Sequence, residues 1–232
     1  MIFETVSAAL GIGVLVTLFF ALLHKEELHS LKRNGDGEIN PNLKWWVGLS
    51  LIHVGIVFLW AWFLFDNDII RLKIELDRIE VSLVFFLVYW VLFELAYWCL
   101  HRLQHSFSLF GYLTGHRGES SSALHHGMKP PYGPDYLTAF SSHPLDAFVV
   151  QFAAQSPWYW LYLAGKFNSN IDFRVSVATY GLTLSWLVYI GMRAHSRISY
   201  GGEYHCMHHD NPGAGPYSFS GFPERLYNDI CR

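Results

Sequence analysis

The sequence predicts an all-α fold: a membrane helical bundle of about four to five spans, with a histidine-rich helical cap on the cytosolic side. Three observations predict it. Hydrophobic residues make up 52% of the 232-residue chain and charged residues only 15%, a balance that suits a bilayer better than water. Five apolar stretches approach the roughly 20 residues that a helix needs to cross a hydrocarbon core of about 30 Å. Ten of the 13 histidines fall in two polar regions that alternating spans bring to one side of the membrane.

The first stretch runs from Ala8 to Leu23. Glu4 precedes it where a signal peptide carries a basic residue, and no small-residue cleavage site follows, so it reads as an uncleaved span. The second (Trp45 to Phe65), third (Val81 to Leu100) and fifth (Phe173 to Met192) meet the length requirement. The fourth, Ala147 to Gly165, contains Gln151, Gln155 and Pro157 and is expected to be kinked or partly inserted. Residues 66–80 mix acidic, basic and aliphatic residues and are expected at an interface. With five crossings, the regions 24–44, 101–146 and 193–232 share one side and hold eleven Lys and Arg, against five on the other. The positive-inside rule makes the first side cytosolic. No repeat or linker divides the chain. Residues 1–87 hold the first spans and the interfacial segment, and 88–232 hold the histidine motifs.

Composition also excludes. A net charge of −3 without a basic run argues against nucleic acid. Cys99, Cys206 and Cys231 are odd in number and scattered, which fits a reducing compartment rather than a disulfide framework.

The histidines carry the chemistry. His101 and His105 are spaced i, i+4, so their side chains share a helix face about 5–6 Å apart. His205, His208 and His209 are spaced i, i+3, i+4 and share a face in the same way. His125 and His126 form a further pair, while His116, His143 and His195 stand singly on the same side. Neutral imidazole suits Fe, Zn, Cu and Ni. Eight to ten imidazoles exceed the coordination of one ion and imply two. His24, His29 and His53 fit no motif and read as structural.

Glu94 to His105, with an acidic residue and aromatics ahead of an H-R-x-x-H box, resembles the fatty acid hydroxylase/sterol desaturase superfamily of integral membrane di-iron enzymes. His143-Pro144-Leu145-Asp146 resembles that family's H-P-L-E/D element, and His195 its isolated later histidine. His205 to His209 resembles the last H-x-x-H-H box, and Glu224 to Tyr227 the closing D-R-L-F. The resemblance covers roughly residues 88–229. It departs in the second box, where Ser122 stands in the place of the first histidine of H-x-x-H-H; His116, six residues earlier, is the substitute.

The resemblance implies that His101, His105, His116, His125, His126, His143, His195, His205, His208 and His209 hold two iron ions, with zinc a possible occupant of purified protein. It implies O2-dependent hydroxylation or desaturation of a lipid, whether sterol, fatty acyl or sphingoid. The electrons would come from a donor such as cytochrome b5 with an NAD(P)H reductase, at the endoplasmic reticulum if the source is eukaryotic. Glu94 is the acidic residue expected at the reaction site, because an ionisable group inside an apolar span is costly and usually functional. The competing readings are a hydrolase, a haem protein, a zinc or copper carrier, and a non-catalytic relative. Absence of H-E-x-x-H counts against the first. The second needs histidines facing one another within the spans, where only His53 lies.

Overall fold

The computed structural model describes residues 43–71, 79–116, 142–167, 174–195, 205, 207–209 and 216–230. The first apolar stretch, Ser122, His125 and His126 lie outside these residues.

Helix α1 (Leu43–Asp66) is predominantly apolar and contains no proline. Its end follows from local chemistry. Asp68 takes φ 56°, the left-handed conformation that closes many helices. The N–H of Asn67 and of Ile69 then turn back to the carbonyls of Phe63 and Leu64, at 3.1 and 3.0 Å. The two-residue strand β1 (Ile70–Arg71) follows. It pairs in parallel with β2 (Val175–Ser176), Ile70 opposite Val175 and Arg71 opposite Ser176. Arg174 and Asp68 close the same corner with an exposed ion pair at 2.8 Å.

Helix α2 (Ile79–Ser106) is the longest, at 28 residues, and the short α3 (Ser108–Leu113) follows it. Helix α4 (Pro144–Phe167) starts with proline at its first position, where the missing N–H costs nothing. His143 caps it: its carbonyl accepts the N–H of Ala147 at 2.8 Å and its ring Nδ1 that of Leu145 at 3.2 Å. Helix α5 (Val177–Ala194) is capped by Ser176, whose hydroxyl accepts the N–H of Thr179 at 3.2 Å. Helix α6 (Phe222–Ile230) carries Glu224 in its first turn.

Helix α4 packs against both α1 and α2. Ala61, Leu64, Tyr89, Phe93, Ala153, Ala154, Trp158, Leu161, Tyr180 and Leu184 form the core between them. Small alanines on α4 admit the aromatic rings of its neighbours: Tyr89 stacks on Trp158 with centroids 4.6 Å apart. The Tyr89 hydroxyl donates to the Ala154 carbonyl at 2.8 Å, one turn before Pro157 interrupts the helix ladder. A buried polar chain also crosses this bundle. Gln151 donates to His53 Nε2 at 2.8 Å, Gln155 to Gln151 at 3.3 Å, and Tyr180 to Gln155 at 3.1 Å.

The described residues are thus almost wholly helical, as the fold class requires. Two helices are long and apolar enough to cross a membrane, over Gly48–Asp66 and Leu83–Ser106, each with mean hydropathy 2.0. Only 22% and 28% of those segments are buried. The core helix of a soluble protein would be mostly covered, whereas Leu51, Val54, Leu59, Leu83, Leu87 and Val91 point outward. The fifth stretch differs from its expectation. Its residues 175–176 form a strand, and the helix that follows has 18 residues interrupted by Thr179, Thr183 and Ser185. It is not one of the two. Neither is α4, whose glutamines and proline lower its hydropathy.

Candidate metal centre

The helical spacing of the first box works as the sequence predicts. His101 and His105 lie on one face of the last turns of α2, with ring centroids 5.1 Å apart. α3 then reverses the chain through Thr114 and Gly115 (φ 75°, a conformation that favours glycine). The N–H of His116 bonds back to the Gly111 carbonyl at 2.8 Å, and its ring comes to 5.2 Å from His101 and 5.0 Å from His105. One nitrogen from each of these three residues lies within 4.8 Å of the others.

A second triad is built from the C-terminal half. His195 follows the last residue of α5, and His205 and His209 lie on helical backbone. Their ring centroids are 4.8 to 5.0 Å apart, and their donor nitrogens also lie within 4.8 Å of one another. His208 joins the two groups. Its ring lies 4.6 Å from His101 and 4.7 Å from His105 on one side, and 5.8 Å from His205 on the other. All seven side chains are buried, none more than 9% exposed.

Backbone carbonyls set the direction of two rings. A carbonyl only accepts, so the Tyr217 carbonyl 2.9 Å from His101 Nδ1 requires the proton there and turns the Nε2 lone pair inward. The Gly191 carbonyl does the same at 2.6 Å from His195 Nδ1. Burial holds His195 down to about 4, opposed by that hydrogen bond and the Asp146 carboxylate. It holds His208 down to about 2, and His105, His116 and His195 add to the effect. Both rings are therefore neutral at physiological pH, the form that ligates a metal.

The donor set fits metal ions. Adjacent nitrogens of a tetrahedral ion with bonds of about 2.0–2.1 Å stand roughly 3.3 Å apart, and His101 Nε2 and His208 Nε2 are separated by 3.1 Å. Six further contacts of about 5 Å between imidazole rings would be poor packing for a hydrophobic core, but they suit rings that converge on cations. A carboxylate stands beside the cage. Buried Asp146 accepts from Gln104 at 2.8 Å and lies 3.8 Å from His116 Nε2. Such partners orient ligating histidines.

Of the other residues singled out in the sequence, Glu94 is fully buried, two turns before His101, and lies against Ser220. His143 belongs to neither triad; it is half-buried and serves as the cap of α4. Sequence reasoning assigned no role to Tyr217, whose carbonyl holds His101 and whose ring lies 5.3 to 5.9 Å from His101, His105 and His208. It lies outside every histidine box, so no motif signalled it.

The chain matches no family model, no curated protein and no solved structure.

Proposed function

We propose that the protein is an integral membrane di-iron oxygenase of the fatty acid hydroxylase/sterol desaturase type, which hydroxylates or desaturates a lipid with O2. One observation carries the reading: seven buried histidines from four separated stretches of chain converge as two adjacent triads joined by His208. They do so at the end of a helix long and apolar enough to cross a bilayer. A nearby membrane accounts for a lipid substrate, and a two-ion imidazole site accounts for chemistry that side chains alone cannot perform. A hydrocarbon C–H bond has no acidic proton, so acid–base groups cannot break it.

His101, His105 and His116 would hold one iron, His195, His205 and His209 the other, and His208 would stand between them. Bound there, the pair would supply the redox chemistry that activates O2 toward a C–H bond. The residues of the chain do the rest. The carbonyls of Tyr217 and Gly191 keep protons on the outer nitrogens of His101 and His195, so that the inner ones remain lone pairs. Burial excludes bulk water from the cage. Gln104 and Asp146 tie α2 to the start of α4 and fix a negative charge beside His116. α2 is about 42 Å long at 1.5 Å per residue, against about 30 Å of hydrocarbon. Its histidine-bearing end therefore suits a position at the membrane surface, where a cytosolic donor such as cytochrome b5 can deliver electrons. In a eukaryotic cell that surface is the endoplasmic reticulum.

Ser122 favours a second reading, in which the chain binds zinc or copper without catalysis, because it leaves the second box short of a histidine. Expression in membranes followed by untargeted lipid analysis separates the two, with His208→Ala as the control. The oxygenase produces hydroxylated or unsaturated lipids that are lost in the variant. Identical lipids in wild type and variant, with metal bound to the wild type, would favour the second reading.

A further inference from the structure

Glu224 lies 7 residues after Tyr217 and holds that residue's backbone from the first turn of α6. Its Oε1 accepts the N–H of Tyr217 at 2.6 Å and the N–H of Ser218 at 2.8 Å, and its Oε2 accepts the Ser218 hydroxyl. The Ser218 oxygen in turn accepts the N–H of Gly221 at 2.9 Å, at a φ of 74°. A carboxylate thus closes the turn between residues 217 and 221 from one side. The other side is held by aromatic stacking, with Phe219 centred 4.4 Å from Tyr97 on α2. Helix α6 itself is pinned to α2 by Arg102, whose guanidinium lies 5.2 Å from the Trp98 ring and 4.6 Å from Tyr227. From this turn the Tyr217 carbonyl reaches the histidines, at 2.9 Å from His101 Nδ1.

We propose that Glu224 is a positioning residue of the metal centre: by gripping the Tyr217–Ser218 backbone it holds the Tyr217 carbonyl on His101 Nδ1 and aims His101 Nε2 into the cage. The inference rests on the metal reading above. It differs from a plain helix cap, because a cap satisfies N–H groups of its own helix, whereas all three groups gripped here belong to Tyr217 and Ser218, ahead of α6. The link is the outer-sphere device by which a carboxylate or carbonyl orients a ligating imidazole, extended by one peptide unit.

The test uses the full chain, purified in detergent, stripped of metal and titrated with Co2+ alone, with visible absorption as the readout. Wild type takes up two Co2+ per chain. Glu224→Ala binds one of the two about 10–100-fold more weakly, the usual loss for an outer-sphere partner. The spectrum of that ion changes and the other ion is unaffected. Glu224→Gln keeps an acceptor oxygen for the two N–H groups and recovers most of the loss. Leu226→Ala, on the same helix, matches wild type. Glu224→Ala binding both ions as wild type does, with the same spectrum, overturns the proposal. Should Glu224→Ala not yield folded protein, Ser218→Ala carries the test. It must weaken the same ion, and binding equal to wild type overturns the proposal. A wild-type chain that takes up no Co2+ overturns the metal reading itself, and this inference with it.

Discussion

Burial keeps the His195 and His208 imidazoles neutral because the protein cannot solvate their charged forms, and that has a measurable consequence. His195 is held down to about 4 by burial, against an ordinary value of 6.5. The folded state therefore binds fewer protons than the unfolded state between these two values, and stability falls as pH falls through that window. For His195 alone the loss is about 2 kcal/mol by pH 5, and His208, held lower still, adds to it. Metal-free protein should accordingly melt at a lower temperature at pH 5 than at pH 7, as differential scanning fluorimetry would record. A midpoint that rises or stays constant on acidification would mean that these rings are solvated. At this scale the motifs were informative in proportion to how local they are. The i, i+4 and i, i+3, i+4 spacings place His101 beside His105, and His205 beside His208 and His209, because helical backbone fixes those distances. His116 joins His101 and His105 only through the reversal at Gly115. His143 is drawn instead into capping α4. Glu224 stood out in the sequence only as part of the element resembling D-R-L-F, and its bonds to Tyr217 and Ser218 depend on a turn that no spacing rule specifies.

The helices owe their contacts to ring-and-alanine packing and to a few buried polar groups. Tyr89 is the clearest case, since it stacks on Trp158 and donates to the Ala154 carbonyl beside the proline-interrupted turn of α4. Tyr89→Phe keeps the stack and removes the bond. It should destabilise the α2–α4 contact by about 1 kcal/mol, near the usual value for polar contacts between helices in membranes, as read by the unfolding midpoint in detergent. No change would show that packing alone holds the pair. Apolar runs predicted α1 and α2 well, because continuous hydrophobicity without proline has few other solutions at this length. They were less reliable for α5. Its polar Thr179 and Thr183 are buried within the protein and Ser185 is half-buried, and Thr183 and Ser185 donate back to the carbonyls of Thr179 and Gly181. A helix so satisfied need not be apolar. The chain from His53 through Gln151 and Gln155 to Tyr180 was likewise invisible as a pattern, since it links three helices far apart in sequence.

Among the described residues, one end of an apolar bundle carries seven buried histidines, and the proposed function requires that they hold two ions. The all-α class and the clustering of distant histidines were legible in composition and periodicity. The division into two triads bridged by His208 was not, because it depends on how α2, α5 and the residues around His205 meet in space. The most direct test is the metal content of protein purified from membranes, measured per chain by mass spectrometry. Alongside wild type stand the double variants His101→Ala/His105→Ala and His195→Ala/His209→Ala. Wild type should carry two ions, iron when expression supplies it, and each double variant one ion. Fewer than one ion per wild-type chain, or two ions retained in both variants, would contradict the two-ion reading.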